Sequence, residues 1–156
     1  MKKVIFGAVA VVVVVALVRL FAFGPSDKQM IQAALDESIQ AARDGQSSPV
    51  LENISRSFEV NGEKVADRPE IAKMVRSAKP RLKVLNREPQ ISGDTATIIS
   101  PVEVDIDYLT FKMNQTIPNV KITFAKESGT RYLVIPYPAW RIVSVEAEGV
   151  PNNISM

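Results

Sequence analysis

An apolar run of about 20 residues, from Val4 to Phe23, follows the basic start of the chain. An α-helix of this length crosses a hydrocarbon core of roughly 30 Å, and in lipid a helix satisfies its own backbone hydrogen bonds. Arg19 is the only charge in the run, and it stands near the end, where a long side chain can reach the headgroups. The run therefore predicts a single transmembrane anchor with its ends at Val4 and Phe23.

A cleaved signal peptide is the alternative for this segment, because it shares the basic start and the apolar stretch. The best match to a cleavage site is Ala22-Phe23-Gly24, and Pro25 directly after it makes this a poor site. We therefore expect an uncleaved anchor. Because Lys2 and Lys3 precede the span, the positive-inside rule predicts a cytoplasmic tail at residues 1–3 and an extracytoplasmic remainder, at a bacterial cell membrane.

The chain after the anchor is nearly neutral, since it holds all 17 acidic residues and 16 of the 19 basic ones. This balance is not the electrostatic footprint of a nucleic-acid-binding protein. The chain has no Cys and no His, so it lacks disulfides, the commonest zinc ligands and the commonest general base. We predict one domain over residues 24–148, a flexible tail over 149–156, and no metal, cofactor or nucleic-acid partner.

Capping patterns predict where the helices begin. Ser26-Asp27-Lys28-Gln29 reads as a capping box, and the helix behind it carries an apolar stripe until Asp44-Gly45 ends it. Ser48-Pro49 starts a second, short helix. Asp67-Arg68-Pro69-Glu70 reads as another capping box, and it opens a third helix that ends at Pro80. The apolar face predicted for that third helix consists of Ile71, Met74, Val75 and Ala78.

The rest of the chain carries strand patterns. Asn61-Gly62 predicts a hairpin within 58–65, and 82–89 reads as a strand. The stretch 95–113 is extended, but its apolar parity changes near 108–110, which predicts a bulge or sharp bend there. We further expect a hairpin with its turn at Ser128-Gly129, a break at Pro136-Tyr137-Pro138, and a last strand over 140–147.

This order of elements resembles the nuclear transport factor 2-like (NTF2-like) superfamily. The resemblance rests on the 58–65 hairpin, the helix start at 67–71 and the final strand from Trp140 to Val143. It implies an α+β cone in which three helices pack on a bent antiparallel sheet and leave a pocket at the open end. Ketosteroid isomerase and scytalone dehydratase share this fold with many binding domains, so the fold does not define the chemistry.

Three acids are the candidates for catalysis or metal binding. Glu103, Asp105 and Asp107 alternate with apolar residues along one strand, so we expect all three on the solvent side. An isomerase or dehydratase would need one of the two Asp inside the cone as a base, with a Tyr as donor. The three acids together could also hold calcium. We predict neither, and we name no catalytic residue.

Two further groups are candidate binding residues. Tyr108, Tyr137 and Trp140 could line an apolar pocket, or they pack as core and rim. A basic surface could meet anionic headgroups or an acidic partner, or it is simply solvated. This basic surface is formed by Lys73, Arg76, Lys79, Arg81 and Lys83.

The architecture predicts a non-catalytic role. A single anchor that carries such a domain outside the membrane resembles inner-membrane assembly subunits of bacterial secretion and conjugation machines. We therefore predict a protein-interaction module whose partners are the lipid bilayer and other membrane proteins. A small apolar ligand in the cone and an isomerase or dehydratase activity are the alternatives, and homo-oligomerisation stays open.

Overall fold

The computed structural model describes residues 14–15, 24–65, 67–131 and 135–149, without the side chains of 111, 129–131 and 135–137. Apart from Val14 and Val15, the anchor predicted at 4–23 lies outside the described residues, and so does most of the predicted tail. Within the described ranges, no helix is both long enough and apolar enough to cross a bilayer.

Three helices follow in order: α1 (Asp27–Asp44), α2 (Ser47–Asn53) and α3 (Arg68–Ala78). The predicted capping box of α1 is confirmed, because the Ser26 hydroxyl accepts from the Gln29 amide (3.2 Å) and the Gln29 side chain accepts from the Ser26 amide (2.9 Å). Gly45 ends α1 with a left-handed φ of 73°, which costs glycine little because it has no Cβ.

The start of α3 is confirmed, but its capping box is wrong. Asp67 occupies the cap position without a side-chain hydrogen bond to the helix. The helix still begins there, because proline is tolerated in the first turn, where the amides have no helical partner. Met74 is also 39% exposed rather than buried, and Ala72 joins the buried face in its place.

Seven strands form one sheet in the order β2-β1-β7-β6-β5-β3, and β4 pairs with β5. The strands are β1 (Ile54–Val60), β2 (Glu63–Lys64), β3 (Arg81–Val84), β4 (Gln90–Ser92), β5 (Thr95–Tyr108), β6 (Phe111–Arg131) and β7 (Ile135–Ala147). The hairpin at Asn61-Gly62 is confirmed, with positive φ at both turn residues.

The prediction of a wholly antiparallel sheet is wrong at one place. β1 and β7 pair in parallel, so the sheet is mixed. These two strands come from opposite ends of the domain, and no hairpin turn connects them. Local sequence signals, which report on turns, therefore carry no information about the direction of this pairing.

The parity change near 108–110 marks a hairpin turn and not a bulge. β5 ends at Tyr108, Leu109 takes a left-handed φ of 54°, and Tyr108 pairs with Phe111 across the turn. Partners across a two-residue turn differ by three in sequence, and paired residues share a face of the sheet. The same face therefore passes from even to odd positions, which in the sequence resembles a flip within one strand.

The predicted turn at Ser128-Gly129 is also wrong. β6 continues to Arg131, and Ser128 pairs with Pro138. The last pair of β6 with β7 is Arg131 with Ile135, and residues 132–134 lie outside the described ranges. The prolines at 136 and 138 do not break β7. The pairing of β7 with β1 begins only at Ile142, so the described part of β1 needs no backbone donor from either proline.

Apolar side chains fill the space between α1 and the sheet. Ile31 of α1, Ile98 of β5 and Phe124 of β6 are fully buried there, and Leu35 and Ile142 complete the contact. A second buried cluster joins the end of α1 to α2 and α3. The core therefore occupies the interior of the cone along the described strands.

Candidate functional site

Trp140 lies in the core with its polar end satisfied. Its ring is 3% exposed, and its indole N–H donates to Asp27 Oδ1 at 2.9 Å. Lys126 Nζ lies 3.0 Å from the same carboxylate and 5.2 Å from the centre of the indole ring. The Trp140 hydrogen bond and the Lys126 ammonium hold the pKa of Asp27 below its ordinary value of 3.8. This cluster ties the first turn of α1 to the sheet.

Tyr108 lies far from Trp140. Trp140 pairs with Lys126 of β6, and the neighbouring residue Ala125 pairs with Thr95, the first residue of β5. Tyr108 is the last residue of β5. The two aromatic residues are therefore separated by roughly 40 Å along the strands. Tyr108 is half-buried near the β5–β6 turn, and the side chain of Tyr137 lies outside the described residues. Tyr108 and Trp140 thus do not line one pocket, because they stand at opposite ends of β5.

The three acids of β5 lie on the face predicted for them. Val102 and Val104 are buried, whereas Glu103 and Asp107 are exposed and Asp105 is half-buried. Each acid has a cationic partner from a neighbouring strand. Lys83 lies 3.4 Å from Glu103 and Arg81 lies 3.7 Å from Asp105. Lys112 lies 3.1 Å from Asp107. In the described part of the chain, no three acidic side chains come together as a metal site.

The predicted basic surface divides into two halves. Arg81 and Lys83 on β3 are paired with the acids of β5. On α3, Arg76 donates to the Ser47 hydroxyl (3.1 Å), and the Lys79 stem packs against Gly45. Lys73 is exposed on the same helix. The excess positive charge of this surface is therefore confined to α3.

A polar cavity, which sequence reasoning missed, lies between β1 and β7. Ile54 pairs with Ile142, and the next pair is Glu59 with Ser144, so residues 55–58 of β1 stand opposite Val143 alone. A cavity of about 560 Å³ lies beside this interruption of the ladder. We call it the β1–β7 cavity; it is lined by Ser55, Arg56, Ser57, Lys64, Glu127, Ser128 and Arg141.

A hydrogen-bond network fixes one wall of this cavity. Ser55, which is 3% exposed, lies with its hydroxyl 2.5 Å from Glu127 Oε1 and donates to it. Arg141 donates through Nη1 to Glu127 Oε2 (3.1 Å) and through Nε to the carbonyl of Glu52 at the end of α2 (3.0 Å). Both carboxylate oxygens are therefore engaged by the protein, and the guanidinium is held in place.

The sequence offered only a weak signal for this cavity. Ser55 and Ser57 alternate along β1, but Glu127, which accepts from Ser55, and Arg141, which donates to Glu127, come from the second half of the chain. A second, smaller groove of about 320 Å³ lies over β3, β5 and β6. Its charged residues, Arg81, Lys83, Glu103 and Asp105, already pair with one another. The β1–β7 cavity is therefore the better candidate for a binding site.

Comparison with solved structures identifies the fold. The chain is similar to an NTF2-like protein of unknown function in nutrient uptake from Rhodospirillum rubrum, with a TM-score of 0.59 and 12% identity over 78% of this chain and 98% of that one. An NTF2-like protein from Cytophaga hutchinsonii gives 0.56 and 13% over 79% and 98%. A nuclear transport factor 2 (NTF2-like) superfamily protein from Salmonella enterica gives 0.54 and 17% over 82% and 94%.

No family model matches the sequence, and no curated protein matches it. The structural neighbours agree on one architecture, and the chain therefore has an NTF2-like α+β fold, with three helices on a mixed sheet. The NTF2-like fold expected from the element order is confirmed at this level. At 12 to 17% identity the likeness defines the fold alone.

Proposed function

We propose that the chain is a membrane-anchored, extracytoplasmic NTF2-like domain that works as a protein-interaction module. The observation that carries this proposal is an open strand edge. β7 ends its pairing with β6 at the Ala147–Val120 pair, so residues 111–119 of β6 run on with β5 as their only neighbour in the described part of the chain. We call residues 102–119 the β5–β6 arm.

Two properties of the β5–β6 arm suit a protein partner. An unpaired strand edge presents backbone donors and acceptors that another strand can bind. At the end of the arm Leu109 is 81% exposed, and Ile106, Tyr108 and Met113 are only partly buried. A partner that adds a strand would satisfy the backbone and cover these apolar side chains together.

The filled interior supports the same proposal. An apolar ligand in the cone would have to occupy the space where Ile31, Ile98 and Phe124 pack with no exposure. The anchor predicted at Val4–Phe23 would hold the domain close to the bilayer, because Gly24-Pro25 is the only linker before the cap at Ser26. Neighbouring membrane proteins are therefore the partners within reach.

Photo-crosslinking in native membranes tests the interaction. A photoreactive residue is placed at Leu109 or Gln115 of the arm, and at Arg43 on α1 as an exposed control away from the arm. We expect a discrete protein adduct from the two arm positions and none from position 43. Adducts of equal yield at all three positions, or none at Leu109 and Gln115, would refute the arm as the interaction surface.

A separate experiment tests the membrane topology. Because the chain has no Cys, a single Leu109→Cys substitution provides one thiol, at an exposed position. In intact spheroplasts of a bacterial host, we expect a membrane-impermeant maleimide to label this thiol, and alkaline extraction to leave the protein in the membrane. Labelling only after lysis would contradict an extracytoplasmic domain.

A further inference from the structure

The walls of the β1–β7 cavity carry more positive than negative charge. Arg56, Lys64 and Arg141 contribute three cations, and Glu127 is the only acid in the lining. Within the described residues, Arg56 and Lys64 form no ion pair; Glu59 stands opposite Lys64 in the hairpin without forming a salt bridge. The cavity therefore has two cations to offer a ligand.

The hydrogen-bonding groups of the cavity are suited to an oxyanion. Among the described residues, Arg141 uses Nε and Nη1 for contacts within the protein, which leaves Nη2 for a ligand. A guanidinium held in this way loses little side-chain freedom on binding, and its planar donors match the oxygens of a phosphate. Ser57 and Ser128 add hydroxyls at the same walls. The two carboxylate oxygens of Glu127 already accept hydrogen bonds from Ser55 and Arg141, so Glu127 does not occupy the other donors of the cavity.

The cavity opens at the end of the domain where the chain enters. Glu127 and Arg141 follow Lys126 and Trp140 directly in sequence, and these two contact Asp27 in the first turn of α1. The cavity also lies on the opposite face of the sheet from α1, since Arg141 alternates with the buried Trp140 and Ile142. A ligand can therefore reach it without disturbing the core.

We infer that the β1–β7 cavity is a binding site for a phosphate group, held by Arg56, Lys64 and the free edge of the Arg141 guanidinium. Its volume of about 560 Å³ falls in the range of roughly 300–1,000 Å³ typical of small-molecule sites, so the ligand carries more than the phosphate itself. A soluble phosphate ester and a phospholipid headgroup present the same group.

Amide chemical shifts of the full chain in neutral detergent test this inference. Inorganic phosphate is the first probe, and nanodiscs of phosphatidylglycerol or of phosphatidylcholine are the second. We expect saturable shifts at residues 55–57, 64, 127–128 and 141. If the phosphatidylglycerol nanodiscs produce these shifts and added phosphate reverses them, the phosphate group comes from a lipid headgroup. If inorganic phosphate produces saturable shifts and the nanodiscs produce none, the ligand is a soluble phosphate ester.

A matched pair of variants separates this site from overall charge. R56Q/K64Q removes the two unpaired cations of the cavity, and R43Q/K112Q removes two exposed cations from α1 and β6, outside the cavity. We expect the first double variant to raise the Kd for phosphate about tenfold and the second to leave it within about twofold. Equal losses in the two variants, or no saturable shift at the cavity with either probe, would overturn the inference.

Discussion

Asp27→Asn is the substitution that tests most directly how α1 is fixed to the sheet. The side chain accepts from Trp140 at 2.9 Å and from Lys126 at 3.2 Å, and it stands in the first turn of α1. Asn keeps an acceptor of the same shape and removes the charge. The substitution therefore measures the charge-dependent part of the cluster.

The expected magnitude follows from the exposure of the group. A hydrogen bond to a charged group contributes about 1.5–3 kcal/mol when it is buried, but the Asp27 side chain is 36% exposed, so solvent screens it. A carboxylate at a helix N-terminus adds about 0.3–1 kcal/mol. Since Asn retains part of the Trp140 bond, we expect Asp27→Asn to lower the free energy of unfolding by about 1 kcal/mol at pH 7.

The pH dependence has a definite sign. The folded protein holds the pKa of Asp27 below 3.8, so the unfolded chain takes up the proton first as the pH falls. The stabilisation by the charge is complete above that ordinary value, and it disappears as the pH falls through the lowered pKa of the folded state. The difference between the two proteins should therefore be constant from pH 7 to about 5 and shrink below about pH 4.

Urea unfolding of the full chain in neutral detergent measures this difference, with the fluorescence of the single Trp as the signal. Asp67→Asn is the matched control, because Asp67 also starts a helix but makes no side-chain capping bond; we expect a change below about 0.5 kcal/mol. A stability difference for Asp27→Asn that stays constant down to pH 3, or that matches the control, would refute this account of the cluster.

Five further substitutions, two of them controls, test the core, one turn and one helix end by urea unfolding in the same detergent. Phe124→Ala should cost about 3–5 kcal/mol, because the ring is fully buried, whereas Ile99→Ala on the exposed side of β5 should cost less than about 1 kcal/mol; equal costs would contradict the assignment of faces. Leu109→Gly should stabilise the protein by about 0.5–1 kcal/mol by relieving a positive φ, and Leu109→Ala, which keeps that φ, should not. Gly45→Ala should destabilise by about 1 kcal/mol, because φ is 73° and the new Cβ would lie 3.0 Å from Lys79 Cε; an unchanged midpoint would count against this.

The sequence predicted those features that depend on neighbouring residues. The capping box at Ser26, the glycine end at Gly45 and the Asn61-Gly62 hairpin each require contacts within a few positions, and all three are confirmed. The outward face of the β5 acids also follows from alternation alone. At Ser128-Gly129 the local composition favours a turn, but the pairing of β6 with β7 continues through both residues. The pairing of the whole strand therefore overrides the local preference.

The candidate sites depend on contacts between distant parts of the chain. Trp140 was a candidate from its residue type, but its bond to Asp27 joins residues 113 positions apart. Ser55 and Glu127 are 72 positions apart, and the cavity that they line lies beside the interrupted register of β1 and β7. No pattern in either strand alone records that interruption.

The sequence by itself thus determined the helix starts, the Asn61-Gly62 hairpin, the alternation of faces and the element order that resembles an NTF2-like cone. It alone supports the predicted anchor from Val4 to Phe23. Only the tertiary structure decided the parallel β1–β7 pairing, the open edge of β6 and the polar cavity. The physical reason is that caps and turns are short-range hydrogen-bonding choices, whereas a strand's partner and register are chosen by the packing of the whole sheet on α1.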